Sequence, residues 1–204
     1  AIGCGDENAM DLAAASARRH PHDAMRLTAW SALGDALQGD ARREYLEAGI
    51  GFGGPCLEKD LKAFIQFSQM SNYDPTLLQA VLDRNDQQIQ DMVRRTKQIL
   101  GGDLSNKKIA IFGLAFKAGT SDIRGSIPMR ILEILMNEGA QVCSHDPVAI
   151  PQAMEMIPQA TYCEDPYEAV QGADAILLVT EWPQYQHLSY DQIASKMRTP
   201  NLLD

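Results

Sequence analysis

Hydrophobic positions change period once along this 204-residue chain, near residue 106. Before that point apolar side chains recur every three to four residues, the spacing of helices. Residues 1–48 are helical in composition, alanine-rich over 10–19 and 24–37. His20-Pro21-His22-Asp23 separates the two segments, because proline pushes its predecessor out of the α region. Leu61, Phe64, Ile65 and Phe67 predict a helix over 57–70, and Ser71-Asn72-Tyr73-Asp74-Pro75 breaks it. Leu78, Val81, Leu82, Ile89, Met92, Val93 and Ile99 form one stripe on a helix over 76–100. At 1.5 Å per residue that helix is about 37 Å long, and Gly101-Gly102 stops it. Such a helix suits a connector, a dimer seam or an ordinary core element, and its pattern leaves the three open.

After Asn106 short apolar runs alternate with amphipathic stretches. Strands are predicted at 109–113, 141–144, 161–163 and 175–180, with a last one starting at Asn201. Helices are predicted at 127–138, 150–156, 165–171 and 189–197. This alternation specifies an α/β domain with a doubly wound parallel sheet. The chain therefore divides into a helical region, 1–102, and a sheet domain, 103–204. Ligands of such sheets sit outside the carboxyl ends of the strands. That places residues 113–124, Asp146 and Thr180-Glu181-Trp182 beside a candidate site.

Composition narrows the function classes. The chain is 45% apolar and 22% charged, ordinary for a soluble globular protein. A net charge of −9 argues against a nucleic-acid or membrane-surface partner. An anionic ligand must then be held by local cations or backbone amides. No apolar run approaches the roughly 18 residues of a membrane span, and no secretory signal is present. Cys4, Cys56, Cys143 and Cys163 lie far apart with no C-x-x-C pair, which reads as reduced thiols of a cytoplasmic protein. The four histidines make no ligand spacing with them, so no metal is expected, and His20 and His22 read as a solvated loop.

Two segments carry candidate chemistry. The first is Gly49-Ile50-Gly51-Phe52-Gly53-Gly54-Pro55-Cys56-Leu57-Glu58-Lys59-Asp60. Its glycines let the backbone approach a ligand closely, and Pro55 suits the first turn of a helix. Cys56, Lys59 and Asp60 then share one face at i, i+3 and i+4. A thiol at a helix N-terminus beside an ammonium is a setting that favours the thiolate. The competing reading is a cysteine buried as a small apolar residue. The second segment is the strand-to-helix loop over 113–124, which brings Lys117 and Arg124 into the crevice. An ammonium and a guanidinium there suit a phosphate or diphosphate. The alternative is a solvated loop in which Asp122 and Arg124 pair with each other.

Taken together, the segments go beyond generic chemistry. The run over 51–60 resembles the cysteine motif of the UDP-glucose/GDP-mannose dehydrogenase family. Gly113-Leu114-Ala115-Phe116-Lys117 with Thr120-Ser121-Asp122-Ile123-Arg124 resembles that family's second signature. Asp146-Pro147 and Leu202-Leu203-Asp204 also fall where the family has them. The resemblance implies a helical central region with a long connecting helix, followed by a Rossmann-like UDP-sugar-binding domain. It implies an oxidoreductase that converts UDP-glucose to UDP-glucuronate with two NAD, through a cysteine thiohemiacetal and thioester. In that scheme Cys56 is the nucleophile and Asp60 orients or activates water. Lys59 and Arg124 lie toward NAD, while Gly51, Phe52, Gly53, Gly54, Phe116 and Lys117 contact the sugar nucleotide.

UDP-glucose is favoured over GDP-mannose or another nucleotide sugar because the turn reads Gly-Ile-Gly-Phe-Gly-Gly. The partner expected besides substrate is a second copy, paired through helix 76–100, with no nucleic acid and no membrane. The family's N-terminal NAD-binding domain and its central-helix lysine find no match in these residues. Both ends read as the edges of a fragment, expected to be inactive alone. A non-catalytic nucleotide-sugar-binding or dimerisation module is the alternative of another class.

Overall fold

The computed structural model describes residues 49–204. The alanine-rich segments over 10–19 and 24–37, the His20–His22 loop and Cys4 lie outside the described residues.

Two helices open the described part, α1 (Leu57–Met70) and α2 (Thr76–Ile99). Cys56 caps α1 at its start, so Pro55 stands just ahead of the helix rather than inside its first turn. Asn72, in the left-handed region at φ 55°, closes α1: its N–H reaches the Gln69 carbonyl and the Tyr73 N–H reaches that of Ser68. Gly101, at φ 91°, ends α2 in the same manner, with the Gly102 N–H 2.7 Å from the Lys97 carbonyl.

The remaining elements are β1 (Lys108–Phe112), α3 (Ile127–Asn137), β2 (Gln141–His145), α4 (Ile150–Met156), β3 (Thr161–Tyr162), α5 (Pro166–Ala169), β4 (Ala175–Leu178), α6 (Tyr190–Lys196) and β5 (Leu202–Leu203). All strand pairs are parallel, in the order β3-β2-β1-β4-β5. The chain winds outward from β1 to β3, then crosses back to lay β4 on the other side of β1. The strand order reverses between β1 and β4, the place outside whose carboxyl ends ligands of such sheets sit. Ile109, Ala110, Ile111 and Phe112 of the central strand are wholly buried, which is why β1 is a continuous apolar run rather than an alternation.

Helix α2 is a core element along its inner face. Leu82, Asn85, Ile89, Met92, Val93 and Thr96 are buried there. Asp86 pairs with Arg130 of α3 at 2.9 Å, and Lys97 pairs with Glu138 at 2.7 Å.

The C-terminal half departs from the sequence expectation as well: the helix expected over 165–171 is the single turn α5. Strand β4 ends at Leu178, because the N–H groups of Val179 and Thr180 both go to the Phe112 carbonyl, at 2.9 and 3.3 Å. A 3-10 turn, Pro183–His187, follows. It buries Tyr185, which stacks on Phe112 at 5.0 Å and donates its hydroxyl to the His145 carbonyl at 3.0 Å. Burial in this cluster pushes the His145 imidazole below its ordinary value. Among the described residues, no helix is long and apolar enough to cross a membrane.

Candidate functional site

The Cys56 thiol is exposed and free at the N-terminus of α1. The Cys56 carbonyl accepts the first helical hydrogen bond, from the Asp60 N–H at 2.9 Å. Lys59 and Asp60 extend into solvent one turn on, with Lys59 Nζ 3.5 Å from Asp60 Oδ1. A thiol, an ammonium and a carboxylate thus occupy the first turn of one helix.

The turn leading to Cys56 lies against the second motif. The Gly54 N–H donates to the Gly125 carbonyl at 3.2 Å. A Cβ on Gly54 would stand 2.8 Å from the Phe116 ring, and one on Gly53 would stand 2.7 Å from the Gly125 carbonyl oxygen. Gly54 also sits at φ 90°, so a side chain is excluded there by backbone as well as by space. Glycine at these positions is what lets the two motifs touch.

The loop between β1 and α3 is folded on its own polar groups. The Phe116 N–H donates to the Asp122 carbonyl at 3.1 Å, and the Asp122 N–H donates to Thr120 Oγ1 at 3.1 Å. Arg124 grips Asp122 with both arms of its fork: Nε lies 3.0 Å from Oδ1 and Nη2 lies 2.7 Å from Oδ2. The Arg124 guanidinium holds the Asp122 carboxyl below the usual carboxylate range. Asp122 in return raises Arg124 above its ordinary value, and Cys56 adds to that in a smaller measure. Lys117 is exposed, with Nζ 5.9 Å from the centroid of the Phe116 ring. Ser126 caps α3, its hydroxyl donating to the Leu114 carbonyl at 2.6 Å.

The structure therefore gathers Gly53, Gly54, Phe116 and Gly125 into direct contact, with Cys56 and Arg124 beside them. It also shows that the Asp122–Arg124 pairing is real, so the guanidinium already has a carboxylate on one side.

Three residues have positions that the sequence did not disclose. Asn85 of α2 exchanges two hydrogen bonds with the Phe52 backbone. Its readable signal was a polar side chain in an apolar helical stripe. Asp146 is an internal anchor rather than a group facing the crevice: it is 2% exposed. Its Oδ2 accepts from the N–H groups of Leu114 and Ala115 and from Trp182 Nε1, and its Oδ1 accepts from those of Val148 and Ala149. The Thr180 hydroxyl donates to the Ala115 carbonyl at 2.8 Å, tying the exit of β4 to the same loop.

Comparison with known proteins matches both parts of the chain. Residues 23–87 match the model of the UDP-glucose/GDP-mannose dehydrogenase family, central domain, and residues 110–204 match that family's UDP binding domain. A UDP-glucose 6-dehydrogenase of Pseudomonas aeruginosa is 38% identical over 166 residues, covering 78% of this chain and 37% of its own length. One from Rhizobium meliloti is 35% identical over 173 residues, covering 85% of this chain and 40% of its own. The solved structure of a UDP-glucose dehydrogenase from Pyrobaculum islandicum superposes with a TM-score of 0.70 at 32% identity, over 81% of this chain and 41% of that one. The chain thus spans about two fifths of the length of these relatives. With the cysteine turn seated on the Phe116 loop, and two models of one family matched in order along it, this chain belongs to the UDP-glucose/GDP-mannose dehydrogenase family.

Proposed function

We propose that this chain supplies the sugar-nucleotide site and the nucleophile of an NAD-dependent UDP-glucose 6-dehydrogenase. The observation that carries the reading is the contact between the cysteine turn and the Phe116 loop, made through Gly53, Gly54 and Gly125. It puts an exposed thiol beside a loop whose Lys117 and Arg124 suit a diphosphate. UDP-glucose is the preferred sugar nucleotide because the relatives at or above 32% identity described above carry that substrate in their names.

In this reaction two NAD would be used in turn, each accepting one hydride. The described residues do not form its main binding surface. The turn after β1 reads Gly113-Leu114-Ala115-Phe116 rather than a glycine fingerprint, and both oxygens of Asp146 at the end of β2 are taken by protein N–H groups. Lys59 and Arg124, both exposed, are what this chain extends toward the cofactor.

The residues of the chain carry the covalent part. Cys56 Sγ adds to the C6 aldehyde formed by the first oxidation; a C–S bond forms, and the carbonyl oxygen takes the thiol proton to give a thiohemiacetal. After the second oxidation the intermediate is a thioester. Water, oriented by Asp60, adds to the thioester carbon and the C–S bond breaks; one proton of the water goes to the sulfur and the other to solvent, leaving a carboxylate and the thiol. Gly51, Phe52, Gly53, Gly54, Phe116 and Lys117 hold the sugar nucleotide in this scheme.

Calorimetric titration of this chain with UDP-glucose and with UDP is expected to show weak binding of both. Absence of heat with either ligand would overturn the site assignment. The same proposal includes self-association through α2, the helix over 76–99. Leu77, Val81 and Ile99 of that helix are exposed apolar side chains, which a second copy would cover. Light scattering is expected to report a dimer, and a clean monomer removes this part of the reading.

A further inference from the structure

Asn85 is a polar exception on the inner face of α2. Leu82, Ile89, Met92 and Val93 share that face, and Asn85 is itself only 6% exposed among them. Both ends of its amide are spent on one residue of the cysteine turn. The Phe52 N–H donates to Oδ1 at 2.8 Å, and Nδ2 donates to the Phe52 carbonyl at 2.9 Å. This is the two-bond exchange of a β-bridge, with a side chain in place of the second strand. A buried amide that makes only one of its bonds is costly, so the geometry is fixed from both ends.

Gly51 permits the approach. Its backbone lies at φ 122°, and a Cβ there would stand 2.5 Å from Asn85 Oδ1. Three residues on, the Gly54 N–H is held by the Gly125 carbonyl. The turn is thus pinned at Phe52 to helix α2 and at Gly54 to the Phe116 loop, and Cys56 follows two residues later.

We propose that Asn85 is the positioning residue of the cysteine turn: through Phe52 it fixes the backbone of residues 51–53 that meets the hexose, and so sets where Cys56 stands. The proposal rests on the UDP-sugar reading above. Asn85 reaches neither the substrate nor the thiol and acts only through the backbone it clamps. The next residue, Asp86, makes an exposed ion pair with Arg130 of α3. Arg130→Ala therefore disturbs the same turn of α2 without touching the clamp, and serves as the control.

The test uses the 204-residue chain as wild type, Asn85→Asp, Asn85→Ala and Arg130→Ala. UDP and UDP-glucose are titrated separately by calorimetry, and melting temperature is recorded alongside. Asn85→Asp keeps the side-chain shape and the acceptor but loses the donor; it carries the test if the alanine variant does not fold. Both Asn85 variants are expected to lose about tenfold in UDP-glucose affinity, the worth of one buried hydrogen bond, with UDP affinity held. Arg130→Ala is expected to match wild type with both ligands. Unchanged UDP-glucose affinity in the Asn85 variants overturns the proposal. Equal losses for UDP and UDP-glucose overturn it too, because they mark a merely structural residue.

Wild type that binds neither ligand refutes the UDP-sugar reading instead. The clamp is then judged by the rate at which iodoacetamide alkylates Cys56. A changed rate in Asn85→Asp at an unchanged melting temperature supports positioning, and an unchanged rate overturns it.

Discussion

On the proposed mechanism, Cys56→Ser is expected to abolish UDP-glucuronate formation wherever these residues act together with an NAD-binding domain, by a factor on the order of 10⁴ or more. The size of the effect comes from the chemistry, because the substitution is gentle on the fold. Cys56 stands at the N-cap of α1, makes no side-chain capping bond there and is exposed. Serine is among the favoured N-cap residues, so α1 should form at least as well. What is lost is the nucleophile. A thiol carries a few per cent thiolate near neutral pH and is strongly nucleophilic, whereas a serine hydroxyl needs an adjacent general base. No imidazole or other base is seen bonded to residue 56 among the described residues, so the variant has no way to form the thioester. Chromatographic measurement of UDP-glucuronate decides it: turnover equal to wild type would sink the covalent mechanism.

Asp146→Ala is expected to carry the largest loss of stability, about 4 kcal/mol, given that each unmet buried donor costs about 1–3 kcal/mol and water can reach part of the gap. The carboxyl group gathers N–H donors from three places: Leu114 and Ala115 after β1, Val148 and Ala149 before α4, and Trp182 after β4. Alanine leaves all of them facing an empty site. For a unit of this size the loss corresponds to about 10 °C in melting temperature. Asp146→Asn keeps the shape and one oxygen, and about half the loss is expected. Because Leu114 and Ala115 begin the loop that bears Phe116 and Lys117, UDP-glucose affinity should fall with stability. Urea unfolding that shows a change below about 1 kcal/mol for Asp146→Ala would contradict the anchor role.

Most of the fold was legible because its signals are local. The apolar run at 109–112 is a central parallel strand buried on both faces. Of the stripe read over 78–99, Leu82, Ile89, Met92 and Val93 form the inner side of α2, whereas Val81 and Ile99 are exposed. The helix over 150–156 was readable to the residue, with Pro151 in its first turn. The end of β4 was not legible. Val179 and Thr180 look like strand residues, yet their N–H groups converge on one carbonyl of β1, a contact set by the partner strand. Tyr185 was hidden for the same reason: its burial depends on Phe112 and His145, more than 35 residues away in sequence.

In the site, the cysteine turn and the Phe116 loop were each visible as motifs, whereas their contact was not, since it depends on Gly54 packing against a ring 62 residues on. Asp146 carried an ambiguous signal. Its place at the end of β2 pointed to a ligand, but the five N–H donors that claim it come from segments far apart in the sequence.

In the proposed function Cys56 is a reactive thiol standing in a sugar-nucleotide site. Alkylation by iodoacetamide, mapped by peptide mass spectrometry with and without saturating UDP-glucose, tests it on this chain directly. Cys143, buried and with its thiol pushed up to about 12, is the internal reference and should stay unmodified. Cys56 is expected to be alkylated in the free protein, and UDP-glucose to slow the reaction at least about tenfold, as a ligand that covers the thiol at saturation would. A Cys56 that reacts at the same rate with and without UDP-glucose would contradict it.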